Sequence, residues 1–152
     1  MPADSPSRDN IGFLLAKASQ RWNELLAARF AARGFPEVSP AYGSLLIPLY
    51  EEDGIRLGEL AQRARLSKQT MTALIRRLER DGLVARRADP NDARATLVFL
   101  TPRAREFAPV AAEILDELDR EVAAVLPTSH VGMLDQALRA LMELGRTPPG
   151  AA

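Results

Sequence analysis

Apolar residues in this 152-residue chain recur at two spacings, every three to four positions and every second position, and the switches between them mark its elements. Ile11, Leu14, Leu15, Ala18, Trp22, Leu25, Leu26 and Phe30 fall on one stripe, which predicts a long amphipathic helix over residues 10–33, stopped by Gly34 and Pro36. Ser39 then offers a capping hydroxyl and Pro40 a missing N–H that a first helical turn leaves unpaired anyway, so a second helix is predicted from there to about Glu51. Pro48 is expected to kink or shorten its last turn. The stretch EEDGIRL gives a turn and a short extended piece.

Leu57 to Arg65 reads as a short helix with Leu60 and Ala61 facing inward. After a break at Leu66-Ser67, a further helix is predicted over residues 68–81, with Ser67 as N-cap and Gly82 as a terminator tolerant of the left-handed conformation. LVARR and ATLVFL are β-prone runs on either side of a Pro-Asn-Asp turn, a hairpin. Thr101-Pro102 repeats the cap-and-proline device, and the stripe Phe107, Val110, Ala111, Ile114, Leu115, Leu118, Val122, Val125 and Leu126 predicts a long helix ended by Pro127. A last helix follows from about Ser129 to Gly145 on Val131, Leu134, Leu138, Leu141 and Leu144.

Two short helices and a tight break followed by a hairpin make a winged helix-turn-helix, so the expected fold is mainly α with a small β-wing. One domain is expected over residues 1–152, with the winged lobe at 39–101 between helical flanks at 10–33 and 102–145. Projected at helical pitch, Met71, Leu74, Ile75 and Leu78 anchor the second short helix, and Gln69, Thr72, Ala73, Arg76 and Arg80 point outward. Ser67, Lys68 and Thr70 stand in its first turn, where free N–H groups and the helix dipole favour a phosphate. Small polar groups and arginine forks in this order suit base edges and phosphates, with Arg77 and Arg86 completing the cationic set. An ordinary exposed helix carrying charge for solubility has the same pattern.

The wing sharpens the choice. Arg94 near its tip could enter a minor groove, with Asp92 holding the guanidinium extended and Asp89 orienting Arg86 or Arg87. The alternative is a solvated ion pair worth about 0 to 1 kcal/mol.

Charge supports a polyanionic partner for the middle of the chain. The formal net charge is zero, but residues 56–105 hold twelve Arg and Lys against five Asp and Glu, a net +7, and the remainder carries −7. With no cysteine and only His130, thiol chemistry and an imidazole-rich zinc site are closed, and no cofactor is expected. His130, near a helix start, reads as a capping or surface residue. No glycine-rich phosphate loop, metal spacing or nucleophile-base set points to an enzyme, and no leader-like or membrane-spanning run appears, which predicts a cytoplasmic protein.

The elements ELA (59–61), LERDGLVAR (78–86), DPNDAR (89–94) and the trailing LT (100–101) resemble the core of the multiple antibiotic resistance regulator (MarR) family of bacterial transcription factors. The resemblance implies a homodimer joined by its terminal helices, with a recognition helix in each major groove and a wing arginine in the minor groove. It further implies a repressor released by a small phenolic or other aromatic effector held between the dimerising helices and the DNA-binding lobe. Phe13, Trp22 and Tyr42 are candidate lining for that cleft and Arg21 a counter-ion, although a tryptophan on an apolar stripe also suits a core or dimer contact. Two positions depart from the family's usual pattern: Ala104 stands where a glycine is common, and Ala93 where a second basic wing residue is common.

Dimerisation also follows from the residues. The stripes of the first and last two helices present more apolar surface than one winged lobe can cover, which leaves a dimer or a larger monomeric bundle. A dimer would address an inverted-repeat duplex. A protein-interaction module that has kept the fold and lost DNA binding is the alternative function.

Overall fold

The computed structural model describes residues 5–146, and its order of elements is the predicted one. Helix α1 (Ile11–Ala32) begins at Asn10, whose side chain caps the Phe13 N–H at 2.9 Å. It ends on Gly34, at φ +90°. Ser39 caps as expected, but the residues after it form a 3-10 turn, Pro40–Tyr42, before α2 (Gly43–Glu51). Pro48 is accommodated inside α2. Proline has no N–H to offer the Ser44 carbonyl, which belongs to an exposed residue.

Strand β1 (Ile55–Arg56) leads into α3 (Leu57–Ala64) and then α4 (Lys68–Arg80). The tight connection is made at Arg65, in the left-handed region at φ 54°, one residue before the break read from the sequence. Holding a non-glycine residue there costs about 1–2 kcal/mol. Strands β2 (Val84–Asp89) and β3 (Asp92–Leu100) form the hairpin, pairing from Val84 with Leu100 to Asp89 with Asp92, with an irregularity between Ala88 and Asp89. β1 pairs antiparallel with β3, so the sheet order is β1-β3-β2. Helices α5 (Pro102–Val125) and α6 (Thr128–Met142) complete the chain.

Leu60, Ile75, Leu78, Leu83 and Val98 are at 0% exposure and form the core of the winged lobe. Each contributes about 1.5–3 kcal/mol by leaving water. Gly82, at φ +73°, reverses the chain after α4, so Leu83 N–H reaches back to the Leu78 carbonyl at 2.9 Å. The start of α5 is tied to this lobe: Ala104 is buried, its carbonyl accepts from Tyr50 Oη at 2.7 Å, and Thr101 Oγ1 donates to the Gly82 carbonyl at 2.6 Å. The end of α1 joins through Phe30, whose ring meets Phe107 edge-on at 4.8 Å. Arg103 lies 3.9 Å from the centre of the Phe35 ring and bonds Glu37 at 2.6 Å.

The chain forms two compact units, one reaching to Ile114 and one starting at Leu115. In the first, the opening turns of α1 stand clear of the core: Ile11 is 68% and Leu14 54% exposed. In the second, α6 buries none of its residues.

Candidate nucleic-acid interface

Helix α4 is anchored by Met71, Leu74, Ile75 and Leu78, all buried, so its opposite face is left to solvent. Lys68, Gln69, Thr72, Ala73 and Arg76 line one open concavity on that face. Its start is ordered by Ser67, whose Oγ accepts from Thr70 N–H at 3.2 Å and donates to Thr70 Oγ1 at 2.9 Å. Thr72 donates its hydroxyl proton to the Lys68 carbonyl at 2.9 Å. It therefore offers outward a methyl group and oxygen lone pairs, suited to an apolar thymine contact or a base amino group.

The cations further along are committed within the protein. Arg80 bonds Asp81 at 3.1 Å, Arg86 grips both oxygens of Glu79 at 2.7 and 2.9 Å, and the Arg77 guanidinium lies 5.4 Å from the centre of the Tyr42 ring. The Arg80 and Arg86 pKa values are raised, each chiefly by the hydrogen bond to its acid partner. The structure thus brings Ser67, Lys68, Gln69, Thr70, Thr72 and Arg76 together and turns Arg77 and Arg86 aside.

At the wing, the sequence expectation for Asp89 is corrected. Its carboxylate binds neither Arg86 nor Arg87; it is 7% exposed and accepts from Arg56 at 3.1 and 2.9 Å, and from Asn91 N–H at 2.9 Å. The reason is the hairpin's pleat and bulge: Asp89 points beneath the wing toward β1, while Arg87 lies 5.1 Å from the centre of the Phe99 ring. Asp92 accepts from the Arg94 backbone at 3.0 Å, and its Oδ1 stands 3.6 Å from Arg94 Nε. Arg94 is 95% exposed, so this long pair biases its direction only weakly. Arg56 and Glu79 are partners of candidate site residues that sequence reasoning passed over. Both were counted in the charge window, but nothing local pairs Arg56 with a residue 33 positions away. Arg56 and Arg94 border a second concavity with Gly58, Gln62 and Thr96.

Of the four proposed effector residues, Phe13, Arg21 and Trp22 lie on α1 and Tyr42 in the 3-10 turn before α2. Phe13 has Lys17 5.8 Å from its ring centre, Arg21 pairs with Glu24 at 3.3 Å, and Trp22 is half-buried on the same helix. Tyr42 is 1% exposed and its hydroxyl donates to Asp81, so it belongs to the interior of the winged lobe. Among the described residues no cluster of His, Cys, Asp or Glu could hold a metal ion, and no helix is long and apolar enough to cross a membrane.

An outward α4 face beside an arginine-tipped wing is the arrangement expected of a winged DNA reader, and the MarR family model matches residues 38–96, which contain both. The match covers the winged lobe, which is similar to that of the MarR family. The likeness extends to the flanks: a probable transcriptional regulator from Pseudomonas aeruginosa of known structure is similar with a TM-score of 0.75 and 29% identity, over 88% of this chain and 97% of that one. TtmR, an HTH-type transcriptional regulator of Methylorubrum extorquens, is 41% identical over 66 residues, 43% of this chain. That alignment spans only 33% of TtmR. The homoprotocatechuate degradative operon repressor of Escherichia coli is 28% identical over 99 residues, 65% of this chain and 67% of its own length. These MarR-like relatives are transcriptional regulators rather than enzymes. In the winged lobe the outward set on α4 precedes Arg77, and Arg94 near the wing tip is 95% exposed.

Proposed function

We propose that this chain is a homodimeric, sequence-specific DNA-binding regulator, and that it acts as a repressor released by a small aromatic effector. The observation that carries DNA binding is the solvent-facing row Lys68, Gln69, Thr72 and Arg76 on a helix anchored by its other face, next to the 95% exposed Arg94. A row of this kind fits a major groove with base-edge contacts at its start, and the wing places a cation toward the adjoining minor groove.

Dimerisation is supported by the terminal helices. Leu14 and Leu15 on α1, and Met133, Leu134, Leu138, Leu141 and Met142 on α6, are 39–64% exposed in the single chain, apolar surface on each helix that a second copy would cover. Two-fold symmetry would then set two recognition helices about 34–36 Å apart on an inverted repeat. Repression of an operon for aromatic breakdown is the role named for the E. coli relative, and its likeness supports the effector class here. An effector would release DNA only by preferring a dimer whose recognition helices are wrongly spaced, because equal affinity for both states shifts nothing.

The test is selection of bound duplexes from genomic fragments with purified protein, followed by titration at several salt concentrations and a screen of small aromatic acids for release. Retention that weakens steeply with salt and favours an inverted repeat supports the reading. Indifference to every duplex at low ionic strength overturns it.

A further inference from the structure

The Tyr42 hydroxyl donates to Asp81, the residue that ends α4. Tyr42 sits in the 3-10 turn that follows α1, 39 residues away, and is 1% exposed. The Asp81 carboxylate also accepts from Arg80 at 3.1 and 3.4 Å, while its backbone N–H closes the helix on the Arg77 carbonyl at 2.9 Å. Arg77 covers the face of the same tyrosine ring. One buried phenol therefore touches the C-cap and one C-terminal cation of the helix, and the C-cap in turn holds the other.

We infer that Tyr42 is a positioning residue for DNA recognition: through Asp81 it sets the rotation of α4, and Asp81 in turn holds Arg80 away from the duplex. The inference rests on the DNA-binding reading above. The hydrophobic anchors of α4, Leu74 and Leu78 among them, fix which face is inward, but the force that buries them is non-directional. A charge-assisted hydrogen bond at the helix end is directional and supplies the missing constraint. The pairing also separates reading from attraction: Lys68, Gln69, Thr72 and Arg76 stay available, while Arg80 is neutralised and adds no sequence-independent pull on phosphate. The bond is not a pH switch. Asp81 is held below the ordinary carboxylate range, first by Arg80 and then by Tyr42, and the Tyr42 phenol is raised, first by burial and then by Asp81.

Two conservative variants separate the two roles. Tyr42→Phe removes the donor and leaves the Asp81–Arg80 pair in place. Asp81→Asn keeps an oxygen to accept from the phenol and removes the charge that holds Arg80. Affinity for a selected operator and for a scrambled duplex of equal length is measured over a salt series, together with dimer mass and melting temperature. Tyr42→Phe is expected to lower operator affinity about tenfold, equivalent to about 1.4 kcal/mol, with scrambled-duplex affinity and salt slope unchanged. Asp81→Asn is expected to keep the operator preference and steepen the salt slope by about 1.8 for a dimer, from the two released arginines. If the wild type selects an operator and Tyr42→Phe loses operator and scrambled affinity equally, or neither, positioning is refuted while DNA binding stands. An Asp81→Asn slope equal to the wild type refutes the restraint of Arg80. A wild type that binds no duplex sinks the DNA reading and this inference together.

Discussion

Removing the Asp89 carboxylate tests how the wing is held. The side chain is 7% exposed and satisfies Arg56 twice and the Asn91 N–H once, across the turn where the β2-β3 register slips. Two limits bracket the cost of Asp89→Ala. Breaking a fully buried ion pair costs about 3–5 kcal/mol because a charge is stranded, whereas an exposed pair is worth about 0–1 kcal/mol. Arg56 decides between them: its side chain is 52% exposed, so its guanidinium returns to water when the partner goes. What remains is the orphaned Asn91 N–H and the loss of a charge-assisted bond, together about 1.5–3 kcal/mol. Asp89→Asn keeps an oxygen for Asn91 but turns its amide NH2, a donor, toward Arg56, so only the Asn91 bond is kept and about half that loss is expected. Denaturant unfolding at one fixed protein concentration, with midpoint and slope fitted together, reads the difference without confusion from dimer mass action. An Asp89→Ala variant within about 0.5 kcal/mol of the wild type, the usual range for surface changes, would show that the pair does not secure the wing.

Other outcomes follow from the same geometry. Arg94→Ala in a dimer removes two cations and should flatten the log-log salt dependence of DNA affinity by about 1.8, with an unchanged melting temperature; an unaltered slope would remove Arg94 from the interface. Gly54→Ala places a Cβ 2.6 Å from Phe99 Cε1 at a backbone φ of +70°, so both strain and a clash with the β3 ring should destabilise the fold by at least about 1–2 kcal/mol in the same unfolding assay. Leu138→Glu changes a side chain that is 42% exposed in one chain, so light scattering should show a folded monomer if α6 meets a second copy, and no change in mass if it does not. Glu37 is held below its ordinary pKa of 4.5, mainly by the hydrogen bond from Arg103, so its stabilising effect is full above that value and is lost as pH falls through the lower folded value. Glu37→Gln should therefore be the less stable protein near neutral pH and approach the wild type in acid.

Much of the architecture could be read from the chain because its cues are local. Ser39 and Ser67 each accept the hydrogen bond expected of a cap, and Gly34 and Gly82 adopt the left-handed conformation that ends their helices. The outward row on α4 follows from helical pitch once the anchors Met71, Leu74, Ile75 and Leu78 are seen. A cap or a helical face involves residues within a few positions of each other, so no knowledge of the rest of the chain is needed.

Partnership between distant groups was not legible. Asp89 looked free to choose among nearby arginines, yet β1 lies against β3 and delivers Arg56 to it from 33 residues away. Tyr42 had the composition of a ligand-pocket wall until the turn after α1 packed it against the end of α4, where a buried hydroxyl needs an acceptor and Asp81 provides one. Arginine and aspartate carry the same charge wherever they stand; which of them meet depends on how strands and helices from separate parts of the chain come together, and that is settled when the core packs.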